Sequence, residues 1–275
     1  MILLLDIDEL FSDFIPDYIN KNCQGLTPEE IEGKIDEIYN AFTQEPLKAT
    51  RGKTITEYYD GFTAEELCIA LGEHIRSNIA PSAYLTDAIT NKDGGEEILL
   101  EYLSSDNEEL AVYALNLLAD KGYDKADDKL LDFILNGENA TLLELSTEIL
   151  STRANEVKDK ILNCFDDASE AVKVNLCEIL SYTVPTEKVL SILLEEFKSH
   201  SENIPLYAQF LGRFGDEKAL PVLLEVIEKD SIDYADYQEL KSAIEMLGGE
   251  YQNKKDFSSD KAFLAVKKVD DEINN

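Results

Sequence analysis

The chain has 275 residues, of which 57 are Asp or Glu and 25 are Lys or Arg, for a formal net charge of −32. Hydrophobic residues make up 44% of it, enough to fill a core, so the composition excludes wholesale disorder despite the charge. The acid excess argues against nucleic acid and against an anionic membrane surface as partners, because both are gripped by basic groups.

The opening apolar run, Met1 to Leu5, ends at Asp6, with no basic leader before it and too short for a secretory signal. Leu3-Leu-Leu-Asp-Ile-Asp8 resembles the nucleophile motif of haloacid-dehalogenase-type phosphatases, in which a strand ends in Asp-x-Asp. Glu9-Leu10 stands where that family has Thr or Val, and no alternating strand and helix pattern follows. The two acids therefore read as the cap and first turn of a helix. Asp8 to Ile19 is an amphipathic pattern interrupted at Pro16. Thr27-Pro-Glu-Glu30 is a helix start, with Thr27 as cap and Pro28 at the first position, and the helix is expected to run on through Ile31, Ile35, Ile38, Tyr39 and Phe42. Gln44 to Phe62, with Pro46, Gly52 and Gly61, reads as a loop. Thr63, with Glu66 three residues on, opens a helix over Ala64 to Ile75. Residues 1–93 thus read as an N-terminal helical region, with a degraded repeat at 63–93.

From residue 94 the chain repeats. Leu100, Leu131, Leu162, Leu193 and Leu224 are spaced by 31, and so are their predecessors Leu99, Leu130, Ile161, Ile192 and Leu223. Leu118, Ile149, Leu180 and Leu211 keep the same step, as do Ala114, Leu145, Leu176 and Tyr207. Columns three or four residues apart lie on one face of a helix, so each unit carries two apolar helical stripes. Gly122, Gly137 and Gly215 fall near expected helix ends, and Pro185 and Pro221 near helix starts. Five units follow, at about 94–124, 125–155, 156–186, 187–217 and 218–251, the last lengthened in the loop Lys229 to Asp233. A pair of such helices cannot bury its apolar face alone, and stacking neighbours supplies the missing cover.

The segment Leu211-Gly-Arg-Phe-Gly-Asp-Glu-Lys-Ala-Leu-Pro-Val-Leu-Leu-Glu225 resembles the helix–turn–helix joint of short bacterial HEAT repeats of the phycobilisome-lyase-like kind. Leu118 to Leu131 is a looser copy, whereas Tyr182-Thr-Val-Pro185 departs from the Gly-Asp pattern. The resemblance covers about residues 94–251. It implies an all-α, right-handed α-solenoid of HEAT-like helix pairs, and a family that serves mostly as binding scaffolds. Residues 252–275 read as a polar linker and a capping helix built on Phe263, Leu264 and Val266.

Chemistry-bearing motifs are sparse. Cys23, Cys68, Cys164 and Cys177 form no Cys-x-x-Cys pair, and Cys68, Cys164 and Cys177, set among apolar residues at helical spacing, read as buried thiols, which suits a reducing cytoplasm. His74 and His200 have no partner at ligand spacing. Asp120, Asp124, Asp127 and Asp128 cluster at one turn without the spacing of a calcium loop and read as capping acids. No Gly-rich phosphate loop, nucleophile elbow or His-Glu-x-x-His motif occurs, so no catalytic residue, metal or cofactor is expected. What remains is the outer face of the second helices, in columns that also step by 31: Tyr113, Glu144, Asn175 and Leu206; Asn116, Thr147, Glu178 and Gln209; Asp120, Ser151, Tyr182 and Arg213, of which all but Leu206 and Ser151 are the candidate residues. In the solenoid these ten residues would line an acidic concave surface. The reading they support is a non-enzymatic scaffold for a protein or peptide, preferably a basic one. The alternative is a lyase-like enzyme accessory or cofactor chaperone, which would need a deep pocket with converging polar groups.

Overall fold

The computed structural model describes residues 2–273. Among the described residues there are seventeen α-helices, two 3-10 turns and no strand, only an isolated bridge between Leu47 and Lys53. None of these helices is long and apolar enough to cross a membrane. The chain divides into two compact units, Met1–Ala126 and Asp127–Asn275, with the division inside the repetitive tract.

The first unit begins with α1 (Ile7–Asn22). Asp6 is its cap, accepting from the Glu9 N–H at 3.0 Å, so the Asp-x-Asp pair starts a helix. The interruption expected at Pro16 does not occur: α1 runs through it. Pro16 is exposed, where water can satisfy the Ser12 carbonyl that loses its bond. The expected single helix after Thr27 is instead two, α2 (Pro28–Glu32) and α3 (Ile35–Gln44), broken at Gly33 and Lys34. Phe11 and Phe14 of α1 pack their rings on Phe42 of α3 at 5.3 and 5.5 Å. The expected loop from 44 to 62 contains α4 (Ile55–Asp60), opened by a capping box between Thr54 and Glu57. The Thr27–Glu30 and Thr63–Glu66 boxes both form, the latter opening α5 (Ala64–Arg76). α6 (Ala83–Thr90), α7 (Glu96–Tyr102) and α8 (Glu108–Asp120) complete the unit. α5 pairs with α6 and α7 with α8, and the pairs meet through α5 on α7 and α6 on α8. Gly95 sits at φ +83° so close to α5 that a Cβ there would lie 2.7 Å from the Cys68 sulfur. Lys121, with a side chain only 5% exposed, closes the joint: its Nζ donates to the carbonyls of Ile89 and Lys92 and lies 3.2 Å from Glu96 Oε1. Burial alone would raise the Glu96 carboxyl, but its own N–H and the Lys121 ammonium outweigh burial and hold it below the usual carboxylate range.

The second unit comprises α9 (Asp127–Asn136), α10 (Ala140–Thr152), α11 (Ala154–Cys164), α12 (Glu170–Leu180), α13 (Glu187–Ser199), α14 (Ile204–Phe214), α15 (Leu220–Ile227), α16 (Tyr234–Met246) and α17 (Lys261–Ile273). α9, α11, α13 and α15 pack on α10, α12, α14 and α16 respectively, and the latter four pack on one another in that order. Gly215, at φ +77°, is the left-handed cap that ends α14 and turns the chain into the next pair.

The repeating columns are mostly core. Leu99, Leu130, Ile161 and Leu223 are at most 3% exposed, and Leu118, Leu180 and Leu211 at most 1%. Two helices depart from the register. In α13 the buried residue is Leu193, while Ile192 is partly exposed. In α10 the buried stripe is Leu142, Ser146 and Leu150, and the expected Leu145 and Ile149 lie one residue round, partly exposed. Both stripes of α10 carry apolar residues at helical spacing, so either rotation satisfies the pattern, and the packing of α9, α11 and α12 selects one. At the C-terminus, α17 packs on α16, with the Phe263 ring 5.2 Å from Tyr234. It covers less than expected: Leu264 and Val266 remain about half exposed.

Candidate functional site

An open groove of about 560 Å³ lies between α10 and the C-terminal end of α12, wholly within the second unit. Helical spacing builds it. Glu144, Thr147, Glu148, Ser151 and Thr152 recur at intervals of three or four along α10, and Asn175, Glu178 and Tyr182 do so across from them.

Five of the ten sequence-predicted residues meet in this groove: Glu144, Thr147, Asn175, Glu178 and Tyr182. Thr147 differs from the expected exposed position. The rotation of α10 sinks it to 5% exposure on the groove floor, where its hydroxyl donates to the Leu143 carbonyl at 3.0 Å. Arg213 stacks its guanidinium 4.4 Å from the centre of the Tyr182 ring, donates to Ser181 Oγ at 3.3 Å and lies 3.9 Å from Glu178. Gln209 is bonded to Glu239 of α16 at 3.0 Å. Tyr113, Asn116 and Asp120 lie on α8 in the first unit and do not line the groove. Sequence reasoning missed Leu143, Glu148 and Thr152 and left Ser151 aside. Glu148 follows Glu144 by four, and Ser151 and Thr152 follow it by seven and eight, so the helical period alone carried the signal.

The lining is rich in hydrogen-bond acceptors. The hydroxyls of Thr147, Ser151 and Thr152 donate backwards to Leu143, Thr147 and Ile149 carbonyls at 3.0, 2.8 and 2.7 Å, which uses their protons and leaves the oxygens as acceptors. Asn175 donates its amide to the Ala171 carbonyl at 3.4 Å, leaving Oδ1 as its acceptor. Glu144, Glu148 and Glu178 add three carboxylates, and Arg213 lies 3.9 Å from Glu178.

The other candidates resolve as follows. Asp127 faces Arg153 at 3.0 Å and Asp128 faces Lys160 at 2.7 Å, so both acids are engaged by cations. All four cysteines are free thiols, three of them buried. His74 is buried, with Nδ1 2.7 Å from the Ala70 carbonyl. His200 does have partners at ligand spacing, against expectation. Glu196 lies one turn earlier on α13, and Glu170 at the start of α12 comes within 3.3 Å of its Nε2. No protein-family model and no curated protein sequence matches this chain.

Proposed function

We propose that the chain is a non-enzymatic binding scaffold whose groove between α10 and α12 takes a lysine- or arginine-rich segment of a protein partner. The observation that carries this reading is the acceptor-rich lining: three carboxylates, three back-bonded hydroxyls and an amide oxygen ask for a donor-rich, cationic occupant. Tyr182, 47% exposed, already carries one guanidinium on its ring and offers aromatic surface to a second cation. The groove is open, which favours an extended peptide over the small cofactor of an enzyme accessory. We further propose that the helix pairs are HEAT-like repeats with right-handed stacking. The support is the 31-residue step, the consecutive packing of α10, α12, α14 and α16, and the left-handed Gly215 joint. The free thiols suit a reducing compartment such as the cytoplasm.

The test is fluorescence anisotropy with a labelled oligolysine peptide, an acidic peptide of equal length and a short DNA duplex. The lysine peptide binds, salt weakens it, and the other two do not bind. Exposed ion pairs contribute about 0.2–1 kcal/mol each, so replacing Glu144, Glu148 and Glu178 together by Gln weakens binding by roughly 3- to 150-fold. Equal affinity of the triple variant, or affinity indifferent to salt, overturns the reading.

A further inference from the structure

A second constellation lies away from the groove, where α12, α13 and α14 meet. Glu170 begins α12, Glu196 lies in the last turn of α13, and His200 caps that helix. One ligand-capable atom from each lies within 4.8 Å of the other two. His200 Nδ1 is 3.0 Å from the Glu196 carbonyl oxygen. A carbonyl only accepts, so Nδ1 carries the proton, and in the neutral ring Nε2 presents its lone pair. That lone pair faces Glu170 Oε2 at 3.3 Å. Two acceptors at this distance need a proton or a cation between them.

Three features favour a metal cation. Ligands held at 2.0–2.1 Å in tetrahedral geometry stand about 3.3–3.4 Å apart, which is the Nε2–Oε2 separation in this cluster. Glu196 Oε2, 3.5 Å from His200 Nδ1, accepts no hydrogen bond although its side chain is only 9% exposed, so a buried carboxylate oxygen is left unsatisfied beside the imidazole. The surroundings also hold the ligands in place. The Tyr207 ring stacks on the imidazole, with centroids 5.0 Å apart and planes 17° from parallel, and Lys173 holds the other oxygen of Glu170 at 2.9 Å. Glu170 is exposed, which gives an ion a path from solvent and leaves room for a water as fourth ligand.

We propose that Glu170, Glu196 and His200 form a binding site for a divalent transition cation of the zinc type. One imidazole and two carboxylates suit such an ion better than calcium or magnesium, which prefer all-oxygen shells of higher coordination number. The ion would tie the end of α13, the first helix of its pair, to the start of α12, the second helix of the preceding pair.

The test uses the full-length, metal-free chain titrated with zinc chloride in a calorimeter, in excess magnesium to occupy the general acidic surface. One equivalent of zinc binds despite the magnesium. The variants His200→Gln and Glu196→Gln, checked for native helicity by circular dichroism, each weaken that equivalent by at least about tenfold. Cobalt in place of zinc gives visible absorption without a thiolate charge-transfer band. Nitrogen NMR of the unaltered chain supplies a readout that does not depend on any variant folding: zinc moves the Nε2 resonance of His200. Absence of the equivalent, its persistence in both variants, a thiolate band, or an Nε2 resonance that responds to protons but not to zinc would each overturn the proposal.

Discussion

The rotation of α10 can be tested by a pair of substitutions. The 31-residue columns place Ile149 in the core, whereas the structure buries Leu150 completely and leaves Ile149 partly exposed. Leu150→Ala and Ile149→Ala each delete three carbons, so their chemistry is matched and only their surroundings differ. At about 0.8 kcal/mol per buried carbon, Leu150→Ala loses about 2.4 kcal/mol of transfer energy. A residual cavity of some 40 Å³ adds about 1 kcal/mol, for a total of about 3.4 kcal/mol. Ile149 is already partly wet, and the space it vacates opens to solvent, so the cavity contribution drops out and the loss is about 1.5–2 kcal/mol. The difference of about 1.5 kcal/mol corresponds to about 3–6 °C in Tm for a unit of this size. Urea unfolding followed by circular dichroism measures both, with an unchanged denaturant slope as the check that only stability moved. If Ile149→Ala costs as much as Leu150→Ala, or more, then α10 does not turn Leu150 to the core in preference to Ile149, and the groove floor at Thr147 goes with that rotation.

Three further outcomes are expected. Cys164, the one partly exposed thiol, reacts first with a thiol reagent; burial pushes the Cys68 thiol up to about 12 and raises Cys177 as well, so these two react only as fast as their helices open, and equal rates for all three would contradict the packing. Burial raises the Glu196 carboxyl, with Lys173 opposing and Glu170 adding, so the folded chain holds that proton more tightly than the unfolded one and the ionised group costs stability at neutral pH. Glu196→Gln in a chelating buffer therefore raises Tm at pH 7, and the advantage shrinks as pH falls through the raised value toward about 4.5; an advantage constant with pH refutes this. Arg213→Ala removes the guanidinium stacked on Tyr182, costs about 0.5–2 kcal/mol in urea unfolding, and tightens lysine-peptide binding by taking a positive charge from beside the groove.

Much of the helical framework was legible because its signals are local. The Thr27 and Thr63 boxes stand in the sequence as a hydroxyl followed three residues later by a carboxylate, and both form. Thr54 and Glu57 carry the same signal, but the nearby Pro46, Gly52 and Gly61 drew the segment toward a loop. Pro16 was read from backbone chemistry alone, which cannot know that its side of α1 faces water. The rotation of α10 was not legible, since Leu145 with Ile149 and Leu142 with Leu150 are equally good apolar stripes and only tertiary neighbours choose between them. Half of the expected recognition residues meet at the groove because a fixed step along the chain puts equivalent faces of successive second helices side by side. The Glu170–Glu196–His200 cluster was invisible for the opposite reason: one of its members lies on a different helix, 26 residues from the nearest other, and only packing unites them.

Lys121 has a consequence of another kind. Its ammonium is clasped by two main-chain oxygens on one side and Glu96 on the other, so the connector between α6 and α7 has a fixed length, and inserting a single residue there would pull the clasp apart. The same burial turns this lysine into a natural gauge. An amine-acylating reagent can reach it only while the first unit breathes, so its rate of labelling, set against that of an exposed lysine such as Lys48 or Lys53, clocks how often that half of the chain comes open.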